Sequence, residues 1–269
     1  MIMIFRNYFM RVVKDPLNFG MLIAFPLVMI TVFITATTTG DNGVPFYLRA
    51  FNETYCLVAT GNLLFNAMFF QYFAGMIVTD FLYLDFRSDM RWRLMASPKK
   101  FTSFIFSAIM ASIAVAALNG VVVVAFTRLV FNAYFPILMT IVAISGMAIF
   151  VTLFGVLCFL LIPNKGTTTA TIMVFAFAQM LAFNFNLLPF PEINSIGVAS
   201  FLPIVAAVRS IDHFGNMMFE FNNPDIGWVG GITMLESYNS TAFIHLGILG
   251  GLVAVTLIAV LIVGRKRKI

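Results

Sequence analysis

Two histidines and two cysteines are all that 269 residues offer of the side chains that most often bind metals or form crosslinks. Neither His213 nor His245 has a cysteine or a second histidine at metal-ligand spacing, so no metal centre is expected and each reads as an ordinary polar residue. Cys56 and Cys158 fall at opposite ends of their apolar segments. A cystine needs Cα atoms within about 7 Å, so no intrachain bridge is expected and packing is left as their role. Charge is scarce as well, at 10% of residues with only 11 Asp and Glu. The sequence has no Gly-x-Ser-x-Gly elbow. It also has no Gly-x-x-x-x-Gly-Lys-Ser/Thr phosphate loop: Asn164-Lys165-Gly166-Thr167 carries Lys and Gly in the reverse order, without the first glycine. The expectation is no catalytic residue, no cofactor held by this chain, and no ATP hydrolysis by the chain alone.

What fills the space is apolar: 61% hydrophobic residues, 32 of them Phe, and a mean hydropathy of +0.99. A soluble domain must cover itself with polar groups and cannot have this composition. A bilayer core of about 30 Å needs roughly 20 apolar residues per helix, and six segments qualify, at 17–38, 57–79, 103–127, 137–162, 168–188 and 242–263. Continuous runs of this length exceed any barrel strand. The predicted fold class is an all-α membrane protein with six transmembrane helices in a single domain, 1–269. The first run is read as a retained span because its basic lead-in is long and its apolar core exceeds that of a signal peptide.

Lys and Arg concentrate on the cytoplasmic side of short loops. With both termini cytoplasmic, Arg49, Arg128 and Arg209 are the only outer members of the 16 Lys and Arg. The net charge of +5 is then a consequence of topology and calls for no nucleic-acid partner.

Residues 1–15 place Phe5, Phe9, Val12 and Val13 on one helical face and Asn7, Arg11 and Lys14 on another, the pattern of an interfacial helix in contact with the lipid bilayer. Pro16 is expected to end it. Turn formers mark the outer connection 39–56, and the short links at Arg128–Pro136 and at Pro163-Asn164-Lys165-Gly166 require antiparallel neighbours. Segment 189–241 begins with an apolar stretch that is too short to span and is broken by Pro203. It reads as two short re-entrant helices in the outer leaflet, followed by a polar outer loop, 216–240. Two outer Asn-x-Ser/Thr sequons begin at Asn52 and Asn239, and both are expected to be unmodified.

The predicted spans contain amides and no charges. Asn62, Asn66 and Gln71 lie in the second, Asn119 in the third, and Gln179, Asn184 and Asn186 in the fifth. An unpaired amide in lipid is costly, so these face other helices, as hydrogen-bond glue, or a pathway. The absence of embedded charge weakens a proton-driven or sodium-driven carrier. Between spans two and three, Asp85-Phe-Arg-Ser-Asp-Met-Arg-Trp-Arg-Leu-Met-Ala-Ser-Pro-Lys-Lys100 is predicted to form a short helix over 85–96, ended by Ser97-Pro98. It serves either as an anchor for topology or as a surface that meets a partner through Arg and Trp92.

Four features resemble the membrane subunits of type-2 ABC exporters. They are the amphipathic start with Lys14-Asp15-Pro16 and Phe25-Pro26-Leu27, the inner Arg91-Trp92-Arg93-Leu94-Met95-Ala96-Ser97-Pro98, the broken outer segment ending in Pro203-Ile-Val-Ala-Ala-Val-Arg209, and the basic C-terminal tail. In the inner loop, Asp89-Met90 stands where the family pattern has Gly-Thr, and Trp92 stands where an acid is common. The resemblance implies a permease in a prokaryotic plasma membrane. It would pair with a second permease, identical or paralogous, and with two ABC ATPase subunits that bind ATP and Mg. It also implies ATPase coupling through Asp85, Arg87, Asp89, Arg91, Trp92 and Arg93, and a substrate pathway past Asn62, Asn66, Gln71, Gln179 and Asn186. The apolar interior favours an apolar or amphipathic cargo such as a drug, an antimicrobial peptide or a lipid-linked molecule. A non-transporting scaffold or sensor using the same inner loop is the alternative.

Overall fold

The computed structural model describes residues 2–38, 66–88, 92, 96, 101–131, 137–184, 198–211 and 232–266, and all regular structure among them is helical. Helix α1 (Ile2–Lys14) is followed, across Asp15, by α2 (Pro16–Phe19), a π turn (Gly20–Ala24) and α3 (Phe25–Thr38). Pro16 begins a helix where the sequence suggested an end. Its missing N–H is harmless at a first helical position, and the Asp15 carboxylate accepts from Asn18 Nδ2 at 2.9 Å. The π turn has a local cause in Pro26, which cannot donate to the carbonyl four residues back and whose ring crowds it. The Phe25 N–H reaches back to Gly20 O instead.

Helix α4 (66–86) is interrupted at Gln71, where Gln71 N bonds Met68 O and Ala74 N bonds Gln71 O, each three residues back. Helices α5 (Phe101–Phe131), α6 (Ile137–Leu161) and α7 (Lys165–Asn184) follow. A 3-10 turn (Val198–Phe201) leads into the short α8 (203–211), and α9 (Ile232–Lys266) completes the described chain. Among the described residues, four helical stretches are long and apolar enough to cross a membrane: Asn66–Phe86, Ser103–Val130, Leu138–Leu161 and Thr241–Arg265. The apolar stretch Gly20–Val32 is shorter.

Several helices extend past the expected ends. Helix α4 continues through Asp80 and Asp85 to Phe86, α5 through Arg128 to Phe131, and α9 begins ten residues before the span expected at 242. The proposed inner helix over 85–96 therefore loses its first two residues to α4. Within the remainder, the Ala96 N–H donates to Trp92 O, a helical bond.

Helix α4 is the axis of the molecule, packed by α5, α6 and α7. Of its spanning window, 83% is buried, against 11% for α9, which lies against α6 at the edge. The α4–α6 crossing is set by two glycines. A Cβ on Gly155 would stand 2.5 Å from Gly75 O, and one on Gly75 would stand 2.9 Å from Val151 O. Only bare backbone allows that approach, the small-residue contact by which apolar helices associate without a hydrophobic driving force.

Helix α1 docks on α5. Its buried stripe is Ile4, Tyr8 and Val12, with Phe5 and Phe9 half-buried and stacked on each other at 6.1 Å, while Val13 is exposed. The stripe is thus rotated from the face expected from sequence, and a tyrosine sits at its centre.

Candidate functional site

The C-terminal end of α4 gathers most of the described charged side chains that have partners. Asp85 is 4% exposed. The Tyr8 hydroxyl donates to its Oδ2, and Arg11 Nη1 lies 3.1 Å from its Oδ1 and 3.4 Å from its Oδ2. The Arg11 guanidinium also stands 5.5 Å from the centre of the Tyr8 ring, and that ring packs against Phe81 at 5.5 Å. Residues 8 and 11 are one turn apart on α1, so one helical face presents both donors to one carboxylate. Burial, and then the bond to Asp85, hold the Tyr8 phenol above its ordinary range, so it remains a proton donor. A hydrogen bond to a charged group is worth about 1.5–3 kcal/mol, enough to fix how α1 lies.

Two residues further on, Arg87 turns the other way. Its Nη2 donates to Phe159 O at 2.9 Å and its Nη1 to Ile162 O at 3.0 Å. These are carbonyls at the C-terminal end of α6, where the ladder has run out of donors and a cation is favoured. The same guanidinium lies 4.9 Å from the Tyr83 ring centre and 4.8 Å from that of Phe159. The Tyr83 hydroxyl is 2.6 Å from Ile162 O, to which it donates, and 2.8 Å from Thr168 Oγ1. Lys165 Nζ pairs with Asp80 Oδ1 at 3.1 Å, an exposed pair worth at most about 1 kcal/mol. The α6–α7 turn, 162–164, and the helix ends that flank it are thereby tied to α4 through Asp80, Tyr83 and Arg87.

Of the six proposed coupling residues, Asp85 is buried, Arg87 is exposed while its guanidinium bonds the end of α6, and Trp92 projects outward at 74% exposure. Asp89, Arg91 and Arg93 lie outside the described residues. No family model matches the chain, and neither a curated protein nor a solved structure matches it.

A second polar group sits about midway along the helices. Gln179 Nε2 donates to the Tyr72 oxygen at 2.7 Å and to Phe175 O at 3.3 Å, and its Oε1 accepts from Ile204 N at 3.2 Å. One amide therefore joins α7 to α4 and supplies an acceptor at the N-terminus of α8, as capping side chains do. Gln71 is fully buried beside Gly120, where a Cβ would stand 2.8 Å from its Nε2. Among the proposed pathway residues, Asn66 is half-buried at the start of α4, and Asn62 and Asn186 lie outside the described residues. His245 is buried, with Nδ1 2.8 Å from Thr241 O and Nε2 3.3 Å from Ser200 Oγ, so it joins α9 to the 3-10 turn. His213 and Cys56 are outside the described residues, and Cys158 is a buried free thiol.

Sequence reasoning did not single out Tyr8, Tyr72, Tyr83 or Thr168. The available signal was a tyrosine within an apolar stripe, whose hydroxyl must find a partner once it is buried.

Proposed function

We propose that the chain is the membrane subunit of a type-2 ABC exporter in a prokaryotic plasma membrane, carrying an apolar or amphipathic cargo outward. The observation that carries this reading is the double fastening of the inner end of α4. A charged loop leaves a helix end that is fixed to α1 on one side and to the α6–α7 turn on the other. A loop that only set topology would need neither attachment. A loop that receives force from a partner needs both, because an unanchored helix end would absorb the displacement.

In this reading six spans cross the bilayer: the four long apolar helices, the α2–α3 stretch, and α7 with the residues after it. Both termini are cytoplasmic, and α1 lies along the inner surface. The 3-10 turn and the largely buried α8 form the re-entrant outer element. Irregular backbone at membrane depth is stable only where protein satisfies it, a service Gln179 performs for the Ile204 N–H, while His245 holds the Ser200 hydroxyl. Two permeases, identical or paralogous, pair with two ATPase subunits that bind ATP and Mg. The loop residues Asp89, Arg91, Trp92 and Arg93 meet the ATPase, and the amides at 62, 66, 71, 179 and 186 stand along or behind the substrate route.

The test is co-expression with an ABC ATPase sought in the neighbouring reading frames, followed by reconstitution. The wild-type pair is expected to move substrate when ATP is supplied. Reversing charge at Arg91 and Arg93 is expected to cut export at least tenfold while the chain still inserts. Unchanged transport and unchanged ATPase copurification in that double variant would overturn the assignment. An intact complex that moves nothing supports the scaffold instead.

A further inference from the structure

Asp85 and Arg87 are two residues apart at the end of one helix, yet their partners lie on opposite sides. The Asp85 carboxylate is held by α1 alone among the described residues, through Tyr8 and Arg11. Among the described residues, the Arg87 side chain reaches the last carbonyls of α6 and the rings of Tyr83 and Phe159. We propose that these two residues are positioning residues that divide the output of the inner loop. Asp85 delivers motion of the α4 end to α1, Arg87 delivers it to the α6–α7 turn, and the buried Asp85 does not touch the partner that drives the loop.

The division follows from chemistry. Asp85 is buried with a phenol that donates and a guanidinium that both donates and neutralises, so its charge is satisfied entirely within the chain. A carboxylate so enclosed has no exposed oxygen to offer an ATPase. The Arg87 donors are aimed at carbonyls whose own helix has ended, and its guanidinium lies beside two rings while the residue stays exposed. Rotation of α4 about its axis would pull on both attachments at once and in opposite directions. This separates the six residues assigned to coupling into two that transmit motion within the chain, Asp85 and Arg87, and the four loop residues assigned to contact with the ATPase. The directional part of the proposal rests on the exporter reading given above, whereas the two attachments do not.

Hydrogen exchange on the full chain in lipid nanodiscs reads the attachments without any partner. Tyr8→Phe and Asp85→Ala are expected to raise backbone exchange across 2–14 at least tenfold and leave 159–168 unchanged. Arg87→Ala is expected to do the reverse. Asp85→Glu, which keeps the charge, is expected to restore most of the protection. Unchanged exchange in α1 on loss of Asp85, or equal loosening of both segments by either variant, overturns the division. Tyr8→Phe removes one hydroxyl and keeps the test available if Asp85→Ala fails to fold.

With the ATPase present, Tyr8→Phe is expected to lower substrate exported per ATP hydrolysed several-fold while the complex still copurifies, a ratio that a purely structural role would leave unmoved. Copurification lost in Tyr8→Phe would place this residue at the partner surface and sink the proposal. Absence of ATP-linked export by the wild-type chain would sink the exporter reading and, with it, the directional claim, while the exchange result continues to decide the attachments.

Discussion

Tyr8 shows how one side chain can decide the placement of a helix. Its ring occupies the centre of the α1 stripe and its hydroxyl supplies a donor to Asp85. Because the docked phenol ionises above its ordinary value near 10, the sign of its pH dependence is set. Below about 10 the proton is present whether or not α1 is docked, and the contribution is intact. As pH rises from there, an undocked tyrosine gives up its proton while the docked one resists, so docking weakens. Limited proteolysis of α1 against pH should show a loss of protection that begins near 10, and Tyr8→Phe should flatten that step. Gln179 makes the same point deeper in the molecule. Gln179→Leu leaves a buried hydroxyl and the Ile204 N–H without their partner, at about 1–3 kcal/mol for each group. Unfolding in mixed micelles should register a loss of that order, and Gln179→Glu should not restore it, since a buried carboxylate adds its own desolvation.

At the scale of the elements, apolar run length foretold where helices lie better than where they stop. The expected inner end at Thr79 and the helix end at Phe86 differ because Asp80 and Asp85 look like loop residues when seen alone. They remain helical because Lys165 and Arg11 come from elsewhere in the chain to meet them. Nothing local to Asp85 announces a partner 74 residues away. The expected face of α1 was misplaced for a related reason: periodicity counts Phe and Val as core and Tyr as neutral, while a carboxylate at the end of α4 reversed that ranking. The two glycines that let α4 and α6 touch were also invisible, because a glycine in an apolar run reads as ordinary until its neighbour is known. Their effect can be measured. Gly155→Ala places a methyl group against the Gly75 carbonyl, and α4 and α6 must separate, at about 1–3 kcal/mol. Gly250→Ala and Gly251→Ala on α9, where no atom stands within 4 Å, should leave thermal stability unchanged or slightly raised, since Ala favours the helix. Equal losses at all three sites would show that the α4–α6 crossing has no special closeness.

At the scale of the molecule, the helices rank by how much of each the rest of the chain covers. Helix α4 is enclosed by α5, α6 and α7, whereas α9 touches mainly α6 and the 3-10 turn and leaves Val255, Leu257, Ile258, Leu261 and Ile262 exposed. In water such a row would be an aggregation hazard; in a bilayer it is a surface for acyl chains. The same ranking places stability and mobility. The stretch of α4 after Gln71 is held by a glycine crossing, two tyrosines, an aspartate and an arginine, while the break at Gln71, where bonds to the third residue back replace the helical ladder, divides it from 66–70. A photoactivatable carbene precursor dissolved in the lipid should therefore label α9 heavily along 255–262 and leave α4 between 72 and 86 almost unmarked, with peptide mapping as the readout. Labelling of α4 at the level of α9 would mean that the bundle opens in the membrane. Absence of label on α9 would mean that this row is covered by another protein, most simply a second copy of the chain or a paired permease, and a crosslinking experiment at Val255 would then identify the neighbour.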